Sequence, residues 1–172
     1  MTNAALALAL LAGAAVLAAA SLYLYRRFGI AGTVVASDSG VSRPTPVLRS
    51  ARYGLSGRPD YLVEEGGRVA PVEVKPRRRS ETPWPRDVLQ LAAYCLLVEE
   101  TEPRFGGYGY LRYAGRTFRI DFTETMRADL LRTIAALRAD LTAADVDPSH
   151  ADPWRCAHCA MLPVCGRPVL PG

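Results

Sequence analysis

Two short β-like runs, Tyr61–Glu64 and Val69–Lys75, flank the connection Glu65-Gly66-Gly67-Arg68. Glycines at the centre of such a connection accept the positive φ that tight turns demand, so the pair predicts a β-hairpin. Side chains alternate along a strand, which puts Glu73 and Lys75 on one face and turns Val74 into packing. Asp60 stands at the start of the first run. Closing the hairpin therefore gathers two carboxylates, Asp60 and Glu73, and one ammonium, Lys75, into a single cleft.

That grouping suits phosphodiester hydrolysis. Hard oxygen ligands hold Mg²⁺ or Mn²⁺, the cation polarises the scissile phosphate, and an ammonium orients the attacking water and stabilises charge on phosphorus. Composition adds weight to the lysine. Of 21 basic residues in the 172-residue chain, Lys75 is the one lysine and the other 20 are arginines. A compact ammonium in so Arg-rich a chain marks a place where a broad guanidinium fork does not serve. The net charge of +4 permits a polyanionic partner without requiring one.

Downstream of the hairpin, Pro and Arg crowd the stretch from Pro76 to Pro85, an expected exposed loop. Arg77, Arg78 and Arg79 follow the catalytic strand directly, Arg86 opens the next helix, and Trp84 lies between them. These are candidate phosphate and base-stacking contacts. A helix is expected from about Pro85 to Glu100, with Gln90 and Tyr94 four apart and so on one face. Strands at Tyr108–Tyr113 and Thr117–Phe122 and a helix at about Glu124–Leu141 complete a mixed α/β (α+β) domain. No element resembles a groove-reading helix, so strong sequence specificity is not implied.

Taken together, Gly57-Arg58-Pro59-Asp60-Tyr61, Pro71-Val72-Glu73-Val74-Lys75 and the Gln90-x-x-x-Tyr94 pair resemble the RecB-type PD-(D/E)XK nucleases. The resemblance covers roughly residues 48–165. It is strongest to the CRISPR-associated RecB-like exonucleases and to the nuclease domain of replication helicase-nucleases. It implies a restriction-endonuclease-like core, a mixed central sheet flanked by helices. It further implies metal ligation by Asp60, Glu73 and the main-chain carbonyl of Val74, a catalytic role for Lys75, and contacts of Gln90 and Tyr94 with nucleic acid. The expected activity is divalent-metal-dependent hydrolysis of DNA, of single strands or ends. Two other readings stay open: a catalytically weak nucleic-acid-binding module of the same fold, and a zinc-knuckle interaction protein. The family's early active-site histidine has no counterpart, since the two histidines, His150 and His158, both lie far downstream.

The tail from Asp147 has no apolar period and carries Cys156, Cys159 and Cys165 in C-x2-C-x5-C spacing, with His158 inside the first pair. Such spacing argues for metal over a disulfide. The resemblance implies a 4Fe-4S cluster completed by an upstream cysteine. No cysteine precedes Cys95, which reads as a buried thiol on the Gln90 helix. Zinc held with His158, or no metal at all, are the other readings of the tail.

At the other end, residues 4–25 carry no formal charge and are almost wholly apolar, followed at once by Arg26 and Arg27 and preceded by no basic residue. Length and flanks predict a single membrane-spanning anchor at residues 1–27, with the C-terminal domain on the cytoplasmic side of the inner membrane. A cleaved signal peptide is the alternative, though it calls for positive charge before the run. A flexible linker is expected at 28–46, a nuclease core at 47–146 and the Cys-rich tail at 147–172.

Overall fold

The computed structural model describes residues 7, 10–20, 29–30, 32–37 and 44–169. Helix α1 includes residues 10–20, which are exposed. Among the described residues no helix is long and apolar enough to cross a membrane. The anchor expected at residues 1–27, and the inner-membrane location drawn from it, are therefore corrected. The remainder of that apolar run, residues 4–6, 8–9 and 21–25, lies outside the described residues.

The chain divides into two compact units, Met1–Leu130 and Leu131–Gly172. In the first, β1 (Thr33–Ser37), β4 (Tyr61–Glu65), β5 (Arg68–Lys75), β6 (Tyr108–Tyr113) and β7 (Arg116–Asp121) form one sheet in that order. All pairs are antiparallel except β5 with β6, so the sheet is mixed, as expected. A separate two-stranded sheet joins β2 (Leu48–Ser50) to β3 (Leu55–Gly57). The parallel pair needs a long connection, and helix α2 (Pro85–Thr101) supplies it.

β1 falls within the expected linker at 28–46. Its Thr-Val-Val-Ala-Ser run has the β-branched content of a strand, and it pairs with β4 from Thr33↔Glu64 to Ser37↔Tyr61. The surrounding Gly, Ser and Pro masked that signal. Thr45, also in the expected linker, is buried and its hydroxyl donates to the Asp60 carbonyl at 3.3 Å.

The β4–β5 hairpin closes through Gly66 and Gly67, with φ of 57° and 76°. Two consecutive positive φ values are the demand of a type I′ turn, which only glycine meets without strain. Register runs from Glu65↔Arg68 to Tyr61↔Val72. Alternation then sorts β5 into two faces. Ala70 and Val72 pack with Val63, Tyr108 and Tyr110, and Val74 lies at the edge of that cluster. Val69 packs on the opposite face with Leu97 and Val98 of α2. Glu73 and Lys75 share the Val69 face, and so look toward α2.

Helix α2 begins at Pro85, where the missing N–H costs nothing, and buries Leu91, Ala92, Cys95, Leu96, Leu97 and Val98. Gly109 of β6 lets it approach closely, since a Cβ there would sit 2.9 Å from Leu91 Cδ1 and 3.0 Å from Cys95 Sγ. Helix α3 (Glu124–Thr142) follows β7 and contains the boundary between the two units. In the second unit, α4 (Pro153–Ala157) is capped by the Asp152 carboxylate, which accepts from the Trp154 N–H at 3.0 Å, and a short 3-10 turn follows at Leu162–Val164.

Candidate active site

Asp60 lies one residue before β4, after the fully buried Pro59. One carboxylate oxygen, Oδ2, accepts from the Val74 N–H at 2.7 Å. This bond fixes Asp60 against the β5 backbone between Glu73 and Lys75. Glu73 is 5% exposed, a depth at which a carboxylate is found only with partners. Its Oε1 accepts from Lys75 Nζ at 2.6 Å and from Gln90 Nε2 at 2.9 Å. Lys75 Nζ also donates to Gln90 Oε1 at 2.9 Å, and Gln90 Nε2 reaches the Tyr94 hydroxyl at 3.1 Å. Carboxylate, ammonium and amide thus close a three-membered ring of hydrogen bonds across the β5–α2 interface, with Tyr94 at its rim.

Burial raises the Glu73 carboxyl above the ordinary carboxylate range. The negative charge of Asp60 pushes the same way, while Lys75 opposes both. Burial works against the charged form of Lys75 too, but Glu73, with Asp87 and Asp60, outweighs it and lifts the ammonium above its usual value. Burial also raises the Tyr94 hydroxyl. Two carboxylates that repel each other beside an immobilised backbone are a hard-oxygen donor set, and a divalent cation suits that set. Among the described residues no three His, Cys, Asp or Glu side chains converge. Asp60 and Glu73 are the two side chains of this site that could hold such a cation.

Tyr94 fits because Gly57 has no side chain: a Cβ at Gly57 would stand 2.9 Å from Tyr94 Cε1 and 3.3 Å from Leu97 Cδ1. The Gly57-Arg58-Pro59-Asp60 segment therefore serves the site at both ends, making room for Tyr94 and setting Asp60.

The three consecutive arginines do not behave alike. Arg77 and Arg79 are exposed, whereas Arg78 is half-buried and its Nη1 donates to Asp87 Oδ2. That carboxylate also accepts from the Tyr113 hydroxyl at 2.6 Å. Arg78 further lies over the Trp84 ring, 4.5 Å from its centroid, and Arg86 lies 4.7 Å from the same centroid. Arg78 is thus committed to Asp87, in place of the open phosphate contact expected of it. Trp84 is likewise covered by two guanidiniums. A depression of about 260 Å³ opens beside the ring, lined by Lys75, Pro76, Arg77 and Arg78.

A family model described as the PD-(D/E)XK nuclease superfamily matches residues 7–166. The chain belongs to the PD-(D/E)XK nuclease superfamily. Among curated proteins, it is 31% identical over 125 residues to a CRISPR-associated exonuclease Cas4/endonuclease Cas1 fusion of Myxococcus xanthus, covering 69% of this chain and 22% of that protein. A CRISPR-associated exonuclease Cas4 of Rhodospirillum rubrum is 29% identical over 141 residues, 77% of this chain and 41% of its own. Another Cas4, from Francisella tularensis subsp. novicida, is 27% identical over 121 residues, 69% of this chain and 59% of its own. The chain therefore spans less than two thirds of each of these relatives. The crystal structure of SSO0001 superposes with a TM-score of 0.47 at 17% identity, covering 92% of this chain and 70% of that one.

Among the described residues, Cys156, Cys159, Cys165 and His158 do not converge as a group. Cys156 is buried and its Sγ accepts from the Val169 N–H at 3.3 Å, while Cys159 and Cys165 are exposed. His158 is turned to Trp154, its Nδ1 2.8 Å from the Trp154 carbonyl and its ring 4.0 Å from the indole. All four cysteines are free. Cys95 is buried, and burial pushes its thiol well above the ordinary range, as befits an inert packing thiol.

Asp87 and Tyr113 carry no sequence signal of their own. An acid in the first turn of a helix is ordinary, and a tyrosine at a strand end reads as packing. Only the i, i+3 spacing of Asp87 to Gln90 hints that both face the same strand.

Proposed function

We propose that the chain is a metal-dependent deoxyribonuclease that hydrolyses phosphodiester bonds in single-stranded DNA or at DNA ends. The observation that carries this reading is the closed Glu73–Lys75–Gln90 ring next to Asp60. Asp60 and Glu73, with the Val74 carbonyl, are the ligands for Mg²⁺ or Mn²⁺. The cation, when bound, polarises the scissile phosphate and acidifies the attacking water. Lys75 stays charged and stabilises the negative charge that builds on phosphorus. Gln90 holds the Glu73 and Lys75 head groups in place, so neither has to reorganise as substrate arrives. The exposed Arg77, Arg79 and Arg86 supply backbone phosphate contacts, which are indifferent to sequence.

The test is cleavage of end-labelled single-stranded and duplex DNA by the full chain with Mn²⁺, alongside Glu73→Ala and Lys75→Ala. Each substitution is expected to cut turnover on the order of 10²-fold or more. Lys75→Ala should leave DNA affinity closer to wild type than turnover. Equal cleavage by all three proteins removes the nuclease reading and leaves a nucleic-acid-binding module.

A further inference from the structure

We propose that Arg78, Asp87 and Tyr113 form a positioning lock that holds the end of the catalytic strand against helix α2, so that Arg78 acts on the reaction through Lys75 and Gln90 and not through substrate phosphate. Its reach is set by five bonds. The Arg78 main-chain N–H donates to the Lys75 carbonyl at 3.0 Å, and the Arg78 carbonyl accepts from the Ala114 N–H at 2.9 Å, just past β6. The Arg78 guanidinium meets Asp87 on the first turn of α2, one turn before Gln90. Tyr113, the last residue of β6, donates its hydroxyl proton to the same Asp87 oxygen and accepts from the Trp84 N–H at 3.0 Å. One residue thus ties together the chain directly after Lys75, the end of β6 and the start of α2.

The alternative is a solvated arginine waiting for phosphate, and the burial argues against it. The Arg78 side chain is 20% exposed and that of Asp87 4%. A guanidinium paired to a buried carboxylate cannot leave for a phosphate without stranding the carboxylate. Its neighbours Arg77 and Arg79 are exposed and carry no such commitment to Asp87. Lys75 and Glu73 come from β5, whereas Gln90 comes from α2 after a 14-residue excursion, so the ring needs a fixed relation between strand and helix. The lock spans the open side of that excursion.

The proposal depends on the nuclease reading for its kinetic test but not for its structural one. In the full chain, Arg78→Ala and Tyr113→Phe are expected to lower kcat for Mn²⁺-dependent cleavage roughly 10- to 100-fold with KM within about twofold, as misplacement of reacting groups does. Arg77→Ala is expected to show its effect in KM, with a shallower salt dependence. Tyr113→Phe removes a single hydroxyl and keeps the ring that packs edge-on against Phe118, so it tests the lock even where Arg78→Ala fails to fold. A rise in KM at constant kcat for Arg78→Ala, matching Arg77→Ala, overturns the proposal. Hydrogen exchange at the Arg78 and Ala114 amides gives a readout that needs no activity. Faster exchange in Tyr113→Phe supports the lock, and unchanged exchange overturns it even where the wild type cleaves nothing and the nuclease reading has fallen.

Discussion

Helices α2 and α3 are close in length, 17 and 19 residues, and both carry apolar residues at helical spacing. They meet different fates. α2 buries seven residues, six of them apolar, whereas α3 buries only Leu130, and its Leu137 and Leu141 are 58% and 85% exposed. Spacing decides which residues can share a face, but a partner surface decides whether that face leaves water. α2 has its partner because it connects parallel strands and lies on the sheet that they build. The same partnership delivers Gln90 and Tyr94 to the carboxylates.

The largest expected effect follows directly. Leu96→Ala, at a site with no exposed surface, should cost roughly 2–5 kcal/mol, and Leu137→Ala should fall within about 0.5 kcal/mol of wild type, both read by urea denaturation. Comparable losses at the two positions would break the contrast between the helices.

A second measurement sharpens it at the N-terminal end of α2. Asp87→Asn should destabilise by roughly 1–3 kcal/mol near neutral pH, because a buried acceptor of two hydrogen bonds loses its charge. Burial raises the Asp87 carboxyl, but Tyr113 and Arg78 outweigh it and hold it below 3.8. A carboxyl depressed in the folded state contributes stability above the unfolded value and loses it as pH falls through the folded one. The gap between Asp87→Asn and wild type should therefore narrow below pH 3.8, as denaturation near neutral and near pH 3 would report. A gap that is constant across this range would mean that the charge of Asp87 contributes nothing.

The smallest effect concerns fit. Gly57→Ala places a methyl 2.9 Å from the Tyr94 ring and should cost about 1 kcal/mol, the low end for overpacking, since the ring can tilt. Tilting moves the hydroxyl away from Gln90, so the same variant should lower DNA cleavage more than its stability loss explains. Unimpaired cleavage would show that Tyr94 is a packing residue only.

How far these contrasts were legible in the sequence depends on backbone regularity. The hairpin, both long helices and the strands at Tyr108 and Arg116 were readable to within a residue or so, because period and turn chemistry agree there. For the same reason Glu73 and Lys75 were readable as neighbours. Asp87 and Tyr113 were not, since a bond between a helix start and a distant strand end leaves no local trace. The strand at Thr33–Ser37 was hidden by flanking Gly and Ser, and its pairing with β4 is a tertiary fact. The cysteine spacing says less for the opposite reason: Cys156, Cys159 and Cys165 lie in a short helix and irregular segments, where sequence separation does not fix where a side chain points.

The sheet order also bears on the sequence of events as the chain folds. The β4–β5 pairing joins neighbours in sequence and can close on the ~1–10 μs scale of a hairpin, whereas the β5–β6 pairing must wait for the chain to return from Lys75 to Tyr108. Asp60 and Glu73 are carried by the fast unit. Gln90, which holds Glu73 and Lys75, arrives with the slow one. Contact order thus leads to the expectation that the two carboxylates meet before the helix carrying Gln90 docks on the sheet.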